Sequence, residues 1–305
     1  MPPQMSKLLF IGDVHLNCGS FSEHIHNSLN SIYDICNKEK PDKLIFLGDF
    51  LDNPTLNPDL VKSISSWFSK FQSTSKNVYL ITGNHDKLPR YTHASTDFLK
   101  EQGVYTGFDI YEDEEMVLVS HSTSGVMVTS NGKLVAGHLG VHGVRVNDGY
   151  KYNGDDIIEF NDVPRLVILG HIHAPSFVEY NKIPILFPGN ICPSNWSDVT
   201  DQRFIVKVDD ENIEKIEIPH IKTKTVYSFD DVTSEENTVY RVVVSENDNN
   251  ENLSSNNIKS IVIKKKIKPL TKGVNKDSLV SLYCTKYNVN EFNVKKILLE
   301  AGVYA

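Results

Sequence analysis

The sequence predicts an α/β protein, and three observations carry that expectation. Within the first 86 residues, three short apolar runs each flow into glycine followed by a carboxylate or a carboxamide. Helical periodicity fills the intervals between them, a strand–helix–strand rhythm that places polar groups at the carboxyl ends of strands. From about residue 104 the pattern changes to short strands of period-two character, and two later apolar runs end in glycine–histidine.

The elements follow in order. Leu8-Leu9-Phe10-Ile11 reads as a buried strand and runs into Gly12-Asp13-Val14-His15. Residues 21–39 read as a helix, because Ile25, Leu29, Ile32 and Ile35 keep helical spacing. A second strand, 43–47, ends in Gly48-Asp49-Phe50-Leu51-Asp52. Pro58 opens another helix with Leu60, Ile64, Trp67, Phe68 and Phe71 on one face. A third strand, 78–81, ends in Thr82-Gly83-Asn84-His85-Asp86. Strands are expected at 116–119 and 133–136, the latter ending in Gly137-His138. Residues 139–163, polar and glycine-rich, read as a long surface loop. The apolar run 166–169 then meets Gly170-His171-Ile172-His173, whose i, i+2 spacing on extended backbone aims both imidazoles to one side. Strands at 177–180 and 183–187 and a hairpin at 203–218 turning at 209–212 complete this part. Beyond about 222 come a strand at 238–244, an Asn/Ser-rich loop at 246–257, Ile261-Val262-Ile263 with a lysine run, and two short terminal helices.

The bulk numbers set limits. A chain of 305 residues supports one to two domains, and 40% hydrophobic with 23% charged residues describes an ordinary globular protein. The net charge of -8 argues against a surface that grips nucleic acid over its whole extent, though not against a local basic groove. Four cysteines, Cys18, Cys36, Cys192 and Cys284, show no C-x-x-C spacing, which fits free thiols in a reducing compartment and excludes a zinc ribbon. No secretory h-region and no run of about 18 apolar residues is present, so the expectation is a cytoplasmic protein without a membrane span.

The strand-end groups are Asp13, His15, Asp49, Asn84, His138, His171 and His173. Carboxylate, carboxamide and imidazole together suit Mn²⁺, Fe²⁺ or Zn²⁺, and the lack of thiolates weighs against a structural zinc site. Seven ligands are too many for one ion but suit two sharing a bridging carboxylate. Two ions about 3.5–4 Å apart can hold a phosphoryl group and generate hydroxide at neutral pH. The chemistry this calls for is hydrolysis of a phosphate ester.

The series Gly-Asp-Val-His, Gly-Asp-Phe-Leu-Asp, Gly-Asn-His-Asp, Gly-His and Gly-His-Ile-His resembles the calcineurin-like metallophosphoesterases over about residues 6–200. The resemblance implies a two-sheet sandwich flanked by helices, with the metals at one edge. It also implies that Asp13, His15 and His173 hold one ion, that Asn84, His138 and His171 hold the other, and that Asp49 bridges them. The double histidine would then serve both ions. His85 would stabilise charge or protonate the leaving oxygen, with Asp52 orienting it. Mn²⁺ is the expected metal, with Fe²⁺, Zn²⁺ or Mg²⁺ as alternatives.

Details narrow the resemblance. Asn53-Pro54 stands where protein serine/threonine phosphatases carry Arg-Gly, and Asp86 replaces their Glu. Val135-Ala136-Gly137-His138-Leu139-Gly140 is similar to the fourth motif of SbcD-type DNA repair exonucleases. The segment Leu186-Phe187-Pro188-Gly189-Asn190-Ile191 with Ser197-Asp198 resembles their turn after the double histidine, with Asn190 in place of the usual serine. That family implies a nuclease domain over residues 1–222 and a small α+β capping or partner-binding domain over 223–305. It also implies DNA as substrate and an SbcC-type coiled-coil ATPase as partner, and a homodimer is compatible with it. Lys264, Lys265, Lys266, Lys268 and Lys272 either contact phosphates or form a solvated strand edge. The terminal helices either bind a partner or pack on their own domain.

Other readings compete. A cyclic nucleotide or other small phosphodiester is the alternative substrate, and a non-catalytic scaffold is a third reading that the full ligand set argues against. His24 and His26 are expected at the surface. His121 and His142 lie near the motifs, and His142 is the rival of His138. Asn195-Trp196-Ser197 matches a glycosylation acceptor, which carries no meaning in a cytoplasmic chain, and Trp196 is expected to pack beneath the turn or shape the rim.

Overall fold

The strand–helix alternation of the first 80 residues forms as the sequence predicts: β1 (Lys7–Ile11), α1 (Ser22–Glu39), β2 (Lys43–Phe46), α2 (Pro58–Gln72) and β3 (Asn77–Leu80). The computed structural model describes residues 6–88, 93–144, 151–196, 198, 202–228, 231–232, 237–245 and 258–264. Asn57 caps α2 by accepting from the Leu60 N–H at 2.8 Å, and Pro58 sits in the first turn, where its missing N–H costs nothing. The later strands are β4 (Ile110–Glu112), β5 (Met116–Val119), β6 (Val126–Val128), β7 (Leu134–Gly137), β8 (Ile158–Phe160), β9 (Leu166–Leu169), β10 (Ser176–Tyr180) and β11 (Ile183–Phe187). The expected hairpin is β12 (Phe204–Asp209) with β13 (Asn212–Glu217), and β14 (Lys222–Val226), β15 (Thr238–Ser245) and β16 (Ile258–Lys264) follow.

Two sheets carry the fold. The first has the order β13-β12-β1-β2-β3, with β1, β2 and β3 parallel; the second has the order β10-β11-β9-β7-β5-β4, with β5, β7, β9 and β11 parallel. Alternation decides what each strand face covers. Leu44 and Phe46 face α1 and α2, joining Ile25, Leu29, Ile64 and Phe68. Ile45 and Leu47 point the other way and pack with Leu118, Ala136 and Ile168 of the second sheet. Strands buried on both faces read as unbroken apolar runs, which is why the sequence marks them so clearly.

The same rule corrects the reading of 139–163 as a surface loop at 139–144 and at Ile158, while 145–150 lie outside the described residues. Val117, Val119, Val135, Val167 and Phe187 on the outer face of the second sheet need a cover, and Leu139, Val141, Val144 and Ile158 supply it. Within this segment β8 pairs in parallel with β6.

The chain divides into two compact units, Met1–Val242 with Asn252–Ile261, and Val243–Glu251 with Val262–Ala305. In the first, β14 pairs in parallel with β15 from Lys222↔Thr238 to Val226↔Val242. In the second, the described residues are the strand ends 243–245 and 262–264. The Asn/Ser-rich segment 246–257, the lysines Lys265, Lys266, Lys268 and Lys272, and the two expected terminal helices lie outside the described residues. No helix among the described residues is long and apolar enough to cross a membrane.

Candidate metal centre

Every expected donor follows the carboxyl end of a parallel strand: Asp13 and His15 after β1, Asp49 after β2, Asn84 after β3, His138 after β7, and His171 and His173 after β9. Asp13, His15, Asp49 and His138 form a buried floor, with Asn84, His85, His171 and His173 half-buried above it. The strand-end glycines are explained by this crowding. A methyl group on Gly83 would overlap Asp49 Oδ1, and one on Gly48, whose φ is +101°, would overlap the His138 ring.

Three of the donors have left-handed backbone: His15 (φ 51°), Asp49 (φ 44°) and His171 (φ 76°). Such residues persist only where their surroundings over-determine them. Here Asp49 O accepts from the N–H groups of Val14 (3.0 Å) and His15 (2.9 Å), and both Asp13 carboxylate oxygens accept from His171 N–H at 3.0–3.1 Å. The turn at His171 also overrides the extended i, i+2 register expected of the double histidine, since β9 ends at Leu169. The two imidazoles therefore serve different neighbours.

One group of donors is Asp13, His15 and His173, another is Asp49, His138 and His171, and a third, His15, Asp49 and His85, overlaps them. In the first, His15 Nε2 lies 3.0 Å from His173 Nε2, which is 3.7 Å from Asp13 Oδ2. In the second, Asn84 Oδ1 lies 3.0 Å from His138 Nε2 and 3.1 Å from His171 Nδ1. Asp49 stands between them. Its Oδ1 accepts from the His85 N–H at 2.8 Å, while Oδ2 is 3.3 Å from His138 Nε2 and 3.9 Å from His15 Nε2.

The donor chemistry fits divalent cations. His138 Nδ1 lies 2.8 Å from Leu47 O, which only accepts, so Nδ1 donates and Nε2 is the nitrogen turned to the centre, with a lone pair to offer where a cation takes the place of its proton. That lone pair faces two oxygen acceptors, Asn84 Oδ1 and Asp49 Oδ2. His173 Nδ1 is likewise held by Asp198 Oδ2 at 3.1 Å, which turns its Nε2 lone pair onto His15 Nε2 and Asp13 Oδ2. Lone pairs that converge in this way repel one another unless a positive charge lies between them.

Electrostatics agree. Burial, reinforced by Asp49, outweighs three imidazoles and raises the Asp13 carboxyl. Burial also opposes ionisation of Asp49, but His138, His15 and His85 hold that carboxyl below its usual range. Burial disfavours charge on His138, yet Asp49 and Asp13 raise it to about 10. Burial and the neighbouring His138 push His171 down to about 3, which keeps it a neutral donor. The two buried carboxylates thus select positive charge at the centre.

His85 sits at the rim. Its Nδ1 bonds to the backbone carbonyl of Asp52 at 2.8 Å, whereas the Asp52 carboxylate lies 3.6 Å from His15 Nδ1. The orienting contact expected between Asp52 and His85 therefore comes from the main chain, and the Asp52 side chain faces His15 instead. Asp86, the residue after His85, is wholly buried and accepts from the N–H groups of Gly83 (2.9 Å) and Leu51 (3.0 Å), tying the turn after β2 to the turn after β3. Burial and Asp49 raise it to about 6.

Some candidates stay outside. His26 accepts from the Trp67 indole N–H at 3.2 Å on the helical side, and His142 is exposed. Neither they nor His24 joins a donor group among the described residues. Trp196 packs on Phe21, ring centroids 5.1 Å apart.

Other residues enter without a sequence signal. Arg203 is 1% exposed and reaches the loop behind His173. Its guanidinium donates to Asn190 O at 2.7 Å, to Asn190 Oδ1, and to Asp198 O at 3.0 Å. Asn190 in turn donates to Asp198 Oδ2 at 2.9 Å, which gives the departure from serine at this position a physical purpose. Nothing in the periodicity separates this arginine from a surface one. Arg203→Ala strands buried acceptors and is expected to cost about 3 kcal/mol, read as a lower denaturant midpoint. Arg203→Lys should not restore it, because one ammonium cannot replace a planar fork. Tyr152 and Asp156 also gather beside His171 and are joined there by His121, which the sequence places near the motifs, with His121 Nε2 3.0 Å from Asp156 Oδ2.

A family model described as calcineurin-like phosphoesterase matches residues 6–175. Among solved structures, one described as a novel archaeal phosphodiesterase is similar at 16% identity and a TM-score of 0.37, covering 69% of this chain and 99% of its own.

Proposed function

Because the chain belongs to the calcineurin-like phosphoesterase family, hydrolases of phosphoester bonds that use a dinuclear metal site, we propose that it is a two-metal phosphodiesterase acting on DNA, of the SbcD type. The observation that carries the two-metal reading is the position of Asp49 Oδ2, within 3.3 Å of His138 and 3.9 Å of His15, and so shared by both donor groups. Asp13, His15, His173 and Asp49 would hold one divalent cation, Mn²⁺ in this reading, and Asp49, Asn84, His138 and His171 the other. When bound, such a pair supplies Lewis-acid charge to a phosphoryl group and lowers the pKa of water.

The chain's own residues do the rest. The floor of Asp13, Asp49 and His138 is closed to solvent, which strengthens each electrostatic contact above it. His85 donates from Nδ1 to Asp52 O, which leaves Nε2 as the atom that exchanges a proton with the leaving oxygen. Asp198 holds His173 from behind.

DNA as substrate, and an SbcC-type ATPase as partner, are supported by the sequence at 135–140 and 186–198. The net charge of -8 favours a second reading, a cyclic nucleotide or other small diester. The test is an assay with Mn²⁺ on linear duplex DNA beside a 3′,5′-cyclic nucleotide. Mn²⁺-dependent release of nucleotides from DNA, abolished by EDTA, is the expected result. Turnover of the cyclic nucleotide with intact DNA replaces the first reading with the second.

A further inference from the structure

Asp156 belongs to a segment with no helical or strand period, yet it is built into the site. Its Oδ2 lies 3.3 Å from His171 Nε2 and 3.0 Å from His121 Nε2. The Tyr152 hydroxyl donates to Asp156 Oδ1, and its oxygen lies 2.9 Å from His171 Nε2. The backbone stitches this segment to the turn after His138: Tyr152 N–H donates to Val144 O (2.7 Å), Gly143 N–H to Tyr152 O (2.9 Å) and Gly140 N–H to Asp156 O (2.9 Å). A methyl group on Gly140 would overlap the Tyr152 ring, and one on Gly154 would overlap both Tyr152 Oη and Asp156 Oδ1. Two glycines thus keep open the space in which these side chains meet.

We infer that Asp156 is a positioning residue for His171, held by Tyr152 and His121, and that it selects the ring nitrogen His171 presents to the metal centre. The inference rests on the metal-centre reading above. Tyr152 commits its proton to Asp156, so its oxygen, 2.9 Å from His171 Nε2, accepts from that nitrogen, while the Asp156 carboxylate 3.3 Å away adds its charge. The proton of His171 therefore sits on Nε2, and the lone pair on Nδ1 points to Asn84 Oδ1. Two other imidazoles have backing acceptors of their own: Asp198 for His173 and Leu47 O for His138. Asp156 completes the set with a residue that no strand-end motif marks. Removing such a backing group typically weakens metal binding by about 10–100-fold.

The test compares wild type with Asp156→Ala and Tyr152→Phe by Mn²⁺ calorimetry on the full chain. A second readout is ¹⁵N-imidazole NMR of His171 in the metal-free protein. Wild type is expected to take two ions and to show His171 as a single tautomer protonated on Nε2. Asp156→Ala is expected to keep one ion at wild-type affinity, to bind the other about 10–100-fold more weakly, and to show averaged His171 nitrogens. Tyr152→Phe should fall between them. Excess Mn²⁺ should restore the turnover rate of Asp156→Ala with KM for the diester unchanged, which a general folding defect would not allow. Two ions at wild-type affinity together with an unchanged His171 signal in Asp156→Ala overturns the inference. Fewer than two ions in wild type instead overturns the two-metal reading, and the NMR comparison still decides whether Asp156 holds His171.

Discussion

Asp49→Ala is expected to yield a folded protein that binds neither cation firmly and hydrolyses no diester at a measurable rate. Each donor group keeps other ligands, but Asp49 Oδ2 is the oxygen common to both. Its second oxygen anchors the His85 N–H at 2.8 Å, so the substitution also releases the turn carrying Asn84 and His85. The loss should be at least about 10³-fold in kcat/KM, because the metals and the proton-transfer group are disturbed together. A readout independent of activity is thermal unfolding. A ligand at about 100 times its Kd stabilises the native state by about 2.7 kcal/mol. Mn²⁺ should therefore raise the Tm of wild type and leave that of Asp49→Ala where it was. Two ions per chain in the variant would remove Asp49 from its bridging place.

His85→Ala should separate binding from chemistry. No donor is lost from the groups around Asp13 and His138, so the Mn²⁺-induced rise in Tm is expected to persist. Hydrolysis should fall by about 10²–10⁴-fold, the usual weight of a general acid or base. The leaving group discriminates further. A diester that expels p-nitrophenolate needs little protonation, so its hydrolysis by His85→Ala should fall less than that of an alkyl diester. Equal losses on both would show that His85 acts on charge in the transition state without passing a proton.

The strand ends made the centre legible. Burial on both faces turned β1, β2, β3, β7 and β9 into unbroken apolar runs, and close packing at their ends placed glycine directly before Asp13, Asp49, Asn84, His138 and His171. Both signals are local, so the sequence displays them. Asp156, Tyr152 and Arg203 are different. Their partners lie in distant turns, and an aspartate or arginine in an aperiodic stretch looks the same whether it faces water or a buried imidazole. The cover formed by 139–144 and Ile158 was legible only indirectly. A second sheet apolar on both faces demands one, and Leu139, Val141, Val144 and Ile158 are the residues that meet the demand. The double histidine misled in one respect, since a period of two holds only while the backbone stays extended, and His171 turns out of it at φ 76°.

The groups around Asp13 and around His138 each draw on both sheets: Asp13 and His15 come from the first and His173 from the second, while Asp49 and Asn84 come from the first and His138 and His171 from the second. Any cation seated there is a rivet through the seam of the sandwich. The sheets meet elsewhere through apolar side chains, which resist separation but have no direction and tolerate small slips. Coordination does have direction, and shear of one sheet along the other would pull His173 from His15 and His138 from Asp49 at the same stroke. With cations seated there, the centre would therefore also set the relative register of the two sheets.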